Sequence, residues 1–245
     1  MDARDEHRTL SALGLADAPR DHPLSYPGAW PTGSGLLRGD ELLPLDRLTH
    51  PGRTPVVAVG SNASPAQLRH KMAEFGVSST VPMVKARVTG LDIGVSAHIS
   101  RPGYVPASPI GAPGVMRELF VIWLDPEQLA LIDATEPNYD RVLLLAPGFG
   151  VELENGEALL DAFAYVNHHG VLHHGDGAPR RHPGQRALIT ELLARSTALR
   201  QLFGTTPEEF CSRARADAGR RVQGTRLFAE EKWVTASGLE HLRVR

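Results

Sequence analysis

Apolar and polar positions along the chain fall into blocks, and sustained order begins near Pro55. Val56-Val57-Ala58-Val59 is a continuous apolar run stopped by Gly60, the pattern of a strand buried on both faces. A helix start follows, with Ser64 at the N-cap, Pro65 at the first helical position and Gln67 three residues after the cap. Leu68, Met72 and Phe75 then fall at i, i+4 and i+7 and predict one apolar stripe. Alternation at Leu91, Ile93, Val95, Ala97 and Ile99 predicts a half-buried strand. Arg101 to Gly114 holds four prolines and three glycines and reads as a loop. Leu119–Leu124 predicts another strand, running into a helix start at Asp125, Pro126 and Gln128. That helix is short, because Pro137 disfavours helical geometry at Glu136. Strands are predicted at Arg141–Ala146 and Leu159–Val166, one long helix at Gln185–Phe203, and a further helix capped by Thr206-Pro207-Glu208-Glu209. Residues 1–53, rich in proline and glycine, read as a surface-laid, partly irregular extension. With strands and helices in blocks and few regular βαβ units, the fold class is α+β.

Composition narrows the chemistry. The 245 residues suffice for a sizeable core, and a formal charge of −2 steers the chain toward neither nucleic acid nor an anionic membrane. Apolar runs are far short of a bilayer span, and the charged opening Met1-Asp2-Ala3-Arg4-Asp5 does not read as a signal peptide. The single cysteine, Cys211, excludes an internal disulfide and any cysteine zinc cage; it suits a reducing cytoplasm.

Two helix ends carry candidate chemistry. Gly60-Ser61-Asn62, between strand and helix, offers backbone N–H groups to a carboxylate or phosphate, although the same triplet also serves plain turns. Glu136 ends a capped helix, where the dipole is negative and a carboxylate gains nothing for stability; that setting suits a general base, or else a solvated side chain at a frayed end. His168-His169 and His173-His174, near Asp176 and His182, form the densest imidazole cluster. Paired histidines on a strand point to opposite faces, and no carboxylate lies at helical ligand spacing, so a hairpin, or a lid over the pocket, is expected rather than a metal site. Ser61 lacks the Gly-x-Ser-x-Gly elbow of a nucleophile, Trp30, Trp123 and Trp233 are too scattered to form a stacking platform, and Arg180-Arg181 and Arg220-Arg221 read as solvated pairs.

Taken together, Val56 to Arg69, with Val59-Gly60-Ser61-Asn62 at its centre, and Leu131-Ile132-Asp133-Ala134-Thr135-Glu136-Pro137-Asn138-Tyr139-Asp140-Arg141 resemble the gamma-glutamylcyclotransferase-like (AIG2-like) family, over roughly Pro55 to Val166. The resemblance implies a mixed β-barrel flanked by helices, placed at residues 54–183, with the extension 1–53 and a helical C-terminal region 184–245 packed on the same domain. It implies that Val59, Gly60, Ser61 and Asn62 cradle the α-carboxylate of a γ-glutamyl group, that Glu136 is the acid/base, and that Tyr139 and Tyr165 line or brace the cavity. The implied reaction is cofactor-independent release of 5-oxoproline from a small γ-glutamyl amide, without metal, nucleic acid or membrane. The alternative is a non-catalytic member of the fold binding a carboxylate metabolite or a protein. Val59 stands where the family has tyrosine, and the proline-rich 101–114 segment where it has a short glycine- and alanine-rich strand. Oligomeric state has no signature in the sequence.

Overall fold

The apolar run after Pro55 is a central strand in the computed structural model, which describes residues 8–243. In chain order the strands are β1 (Gly35–Arg38), β2 (Glu41–Leu43), β3 (Thr54–Ala58), β4 (Val81–Val95), β5 (Ala107–Leu124), β6 (Tyr139–Leu145), β7 (Gly150–Leu153), β8 (Ala158–Leu159), β9 (Asp161–Asn167), β10 (Val171–Leu172) and β11 (Val234–Thr235). Helices are α1 (Pro65–Glu74), α2 (Pro126–Thr135), α3 (Gln185–Arg195), α4 (Thr197–Phe203), α5 (Pro207–Ala216) and α6 (Ala218–Glu230). β3 lies antiparallel to β5 on one side and parallel to β9 on the other. Val57 and Val59 enter one core, and Val56 and Ala58 enter a second with Leu68 and Met72 of α1. A strand covered on both faces is apolar throughout, which is why no alternation shows.

The fold is α+β, but the sheet is not closed into a barrel. Its path runs β2-β1-β4-β5-β3-β9-β6 with the end strands unpaired to each other. β4 divides the closure: its start pairs with β1 and its middle with β7. The free side of β6 instead meets the turn Glu240–Leu242.

Several elements differ from the pattern-based expectation, each for a physical reason. The proline-rich segment is a loop only to Pro106; from Ala107 it is the first part of β5, an 18-residue strand. Pro109 is tolerated because its neighbours in register, Ala107 and Gly111, send their N–H groups away from β4, to Tyr26 Oη and Ser237 O. Pro113 falls in the bulge where the register shifts opposite Thr89 and Gly90. The long helix breaks at Ser196, which is extended and caps Leu199 N, giving α3 and α4. Phe75 is 58% exposed, so the α1 stripe ends at Met72. Ser64 precedes α1 but makes no cap; its hydroxyl is buried without a partner, and Gln67 Oε1 instead accepts Arg20 N. The Asp125–Gln128 capping box does form. Residues up to 53 are more than a surface arm: β1 and β2 join the sheet, and Leu10 and Leu37 are buried. The opening Met1–Asp5, read above for leader character, lies outside the described residues.

The two cap sequences look alike yet differ in bonding, and that difference is measurable. Asp125→Ala is expected to cost about 1 kcal/mol in urea unfolding. Ser64→Ala, which removes an unpaired buried hydroxyl, is expected to stay within about 0.5 kcal/mol of wild type.

Candidate functional site

β3 delivers Gly60 to a tight turn, and α2 delivers Glu136 to its own C-terminal end. The two ends meet on one cavity of about 640 Å³. Val59, Gly60, Ser61, Asn62, Glu136, Tyr139 and Tyr165 all line it. The turn itself is a single 3-10 turn, Ser61–Ala63, closed by Ala63 N to Gly60 O and Ser64 N to Ser61 O, both 3.0 Å. α1 starts only at Pro65, so its dipole does not open directly onto Gly60 as expected. The charge at this place comes from a side chain.

That side chain is Lys71, in the last turn of α1. Its Nζ donates to Glu136 Oε1 at 2.6 Å and to Asn62 Oδ1 at 3.0 Å. Asn62 Nδ2 donates to the same Oε1 at 3.2 Å. Lys71 and Glu136 side chains are 8% and 19% exposed. Glu136 is the C-cap of α2, where the dipole alone disfavours a carboxylate, and the ammonium reverses that balance. Glu136 Oε2 has no hydrogen-bond partner among the described residues. The carboxylate is therefore anchored by one oxygen with the other unengaged.

Phenols form the remaining wall, fixed by the backbone of Ala107. Tyr26 Oη accepts from Ala107 N at 2.8 Å and Tyr139 Oη donates to Ala107 O at 3.0 Å. The Tyr26 and Tyr104 rings lie 4.3 Å apart. Tyr165 Oη donates to Asp133 Oδ1 at 2.6 Å, so Tyr165 lends its ring to the cavity and its hydroxyl to α2. Burial is the main force raising the pKa of all four phenols; the charge of Glu136 pushes in the same direction, so they stay protonated near neutrality. Gly60 is required by this wall: a Cβ there would lie 2.5 Å from Tyr26 Oη. Its closeness serves a tyrosine from the N-terminal segment.

His98 completes the lining. It is 3% exposed, its Nδ1 is 2.6 Å from Ser96 Oγ, and its ring stacks on His169 at 5.0 Å. Burial first, then the neighbouring His169 and His168, holds its pKa down at about 3. At the mouth stand Arg20, paired with Glu74, and Arg101, Arg215 and Phe75.

The other histidines go elsewhere. His168 contacts Asp140 at 2.9 Å, His169 contacts Asn138, and His173 bonds Lys232 O. No group of three or more metal-ligating side chains converges among the described residues. None of residues 168–176 lines the cavity, so the hairpin is no lid over it. Arg180 is no solvated side chain either; it is 3% exposed and holds Glu191 through two bonds of 2.8 and 2.7 Å.

Sequence reasoning missed Lys71, Tyr26, Tyr104 and His98. Lys71 did carry a signal, being one of only three lysines among 26 basic residues and one helical turn from buried Gln67. Ser96 and His98, two apart on one face, carried a weaker one. Tyr26 carried none, since it arrives from a segment without periodicity.

No protein-family model matches the chain, and no curated protein matches it significantly. Among solved structures it is similar to a gamma-glutamyl cyclotransferase, at 14% identity and a TM-score of 0.37, over 47% of this chain and 66% of that one. It is similar to an Arabidopsis thaliana protein solved in solution, at 19% identity and a TM-score of 0.36, over 50% and 66%. It is also similar to an uncharacterized Homo sapiens protein, at 15% identity and a TM-score of 0.37, over 47% and 67%. The chain thus spans about two thirds of those structures, and overlaps this partial say nothing of a reaction.

Two measurements probe the site's construction. Gly60→Ala is expected to destabilise by about 1–3 kcal/mol through the clash with Tyr26 Oη. In a Tyr26→Phe background its additional cost should fall below about 1 kcal/mol, because the ring carbon Cζ is 3.6 Å from the new Cβ. For His98, the unfolded chain takes up a proton near pH 6.5 that the folded chain refuses until about 3. Its stabilising contribution is therefore full above pH 6.5 and declines as pH falls through that window. The urea midpoint should drop between pH 7 and pH 5, and drop less in His98→Gln; equal slopes would contradict the assignment.

Proposed function

We propose that the cavity cyclises a small γ-glutamyl amide, releasing 5-oxoproline and an amine, without cofactor and in the cytoplasm. The observation that carries this reading is the anchoring of Glu136: Oε1 is held by Lys71 and Asn62 while Oε2 is unengaged. A carboxylate held this way is fixed in direction yet still able to accept a proton. No helix is long and apolar enough to cross a membrane among the described residues.

In this reading the substrate α-carboxylate sits at the Gly60-Ser61-Asn62 turn. Lys71 has three N–H donors, two of them engaged, and the third serves that carboxylate. Glu136 Oε2 takes a proton from the α-ammonium. The freed amine attacks the γ-carbonyl carbon and forms the five-membered ring. The amide C–N bond then breaks as Glu136 gives its proton to the departing nitrogen. The ring nitrogen, cationic after the attack, loses its second proton through Glu136 to the released amine, which leaves as an ammonium, so protons and charge balance. Moving a proton from an ammonium to an ordinary carboxylate is uphill by roughly 5 kcal/mol. Holding the glutamyl chain folded offsets it, since well-oriented intramolecular attack is worth about 7–11 kcal/mol. Residues 54–183 supply the reacting groups, while Tyr26 and Arg20 from 1–53 and Arg215 from 184–245 close the walls.

The test is 5-oxoproline release from γ-glutamyl amino acids and γ-glutamyl amines. Wild type should release it, and Glu136→Gln should lower kcat by about 10³-fold or more. Binding of these compounds without release would leave a non-catalytic carboxylate-binding protein, and an unaffected Glu136→Gln would refute the mechanism.

A further inference from the structure

We propose that His98 is a second catalytic residue of the cavity, its Nε2–H donating a hydrogen bond to the oxygen that gains negative charge when the γ-carbonyl is attacked. The identity of that oxygen rests on the cyclisation proposed above; the donor itself rests on geometry.

The tautomer turns on Ser96. Its hydroxyl is fully buried and lies 2.6 Å from His98 Nδ1, with the Tyr139 hydroxyl as a second neighbour. A buried hydroxyl left without an acceptor costs about 1–3 kcal/mol. Donation of the Ser96 O–H to Nδ1 puts the ring proton on Nε2. Nε2 has no protein partner among the described residues, and it is not among the buried polar atoms sealed without one. With His98 in the cavity wall, that N–H is available to a ligand. The ring cannot swing easily: it stacks on His169 at 5.0 Å and meets the Tyr139 ring edge-on at 5.7 Å. His169 is itself held by Asn138 Oδ1 at 2.9 Å, and its backbone N donates to Asn167 Oδ1. The imidazole stays neutral across the working pH range, since burial opposes its charging. A fixed neutral donor of this kind stabilises a developing oxyanion with little reorganisation. Glu136 moves the proton, and nothing else described in the cavity has been assigned to the oxygen.

The test uses the full chain with γ-L-glutamyl-L-alanine as substrate and ¹⁵N-labelled histidine for NMR. The Nε2 signal of His98 should show a bound proton and Nδ1 none. His98→Phe should lower kcat by about 10²–10³-fold with KM within about threefold. His98→Gln, whose amide can donate, should recover at least about tenfold of that loss. A proton on Nδ1, a kcat loss under threefold in His98→Phe, or equal losses in both variants would each overturn the proposal. If wild type releases no 5-oxoproline, the cyclisation reading fails on its own. His98 is then judged by titration with L-5-oxoproline: a shifted Nε2–H signal supports donation to a bound oxygen, and an unmoved one refutes it. The NMR arms also decide the matter should His98→Phe fail to fold.

Discussion

The contact between Lys71 and Glu136 is the constraint on which the rest of the site depends. α1 and α2 both border the cavity, and α2 ends there with its carbonyl-rich, partly negative terminus at Glu136. Without a cation between them the carboxylate at the end of α2 would be electrostatically unfavourable. With it, the Oε1 contact at 2.6 Å joins the helices and turns Glu136 into a fixed group. Removing one partner of a buried pair costs about 3–5 kcal/mol; the partial exposure of Glu136 places this one toward or below the lower figure. The pairing is thus modest for stability and decisive for direction.

A second dependence runs through Ala107, the first residue of β5. Its N–H and C=O hold Tyr26 from the N-terminal segment and Tyr139 from β6. Backbone groups at a strand end would otherwise need water or another partner. Here they align two phenols whose hydroxyls have little freedom to serve elsewhere. The wall beside Ala107 is therefore stiff, and the polar atoms it leaves to a ligand include Glu136 Oε2, one N–H of Lys71 and His98. Tyr26 fits because Gly60 has no side chain, which couples the N-terminal segment to the turn.

Local signals in the sequence were readable wherever the physics is local. The unbroken run Val56–Val59, the Asp125–Gln128 capping box and the stop before Pro137 all act within a few residues, and each corresponds to an element found. The co-location of Gly60-Ser61-Asn62 with Glu136 was legible only through the family resemblance that the two stretches carry together. What failed was non-local. Prolines 109 and 113 sit in a strand because one N–H direction and one bulge excuse them, and both depend on partners far along the chain. Ser64 imitates a cap but is buried against the N-terminal segment near Gly28. Lys71 and Tyr26 reach the cavity from segments whose patterning describes other faces. Barrel closure failed for the same reason, since β4 is shared among β1, β5 and β7.

The central claim is that Glu136, held through one oxygen, offers the other to a bound glutamyl group. A crystal structure of the protein with L-5-oxoproline, the expected product, tests it most directly. The account requires the ring nitrogen about 3 Å from Glu136 Oε2, with Oε1 still on Lys71 and the product carboxylate at the Gly60–Asn62 turn. Product bound outside this cavity, or bound with Glu136 turned away from it, would contradict the account.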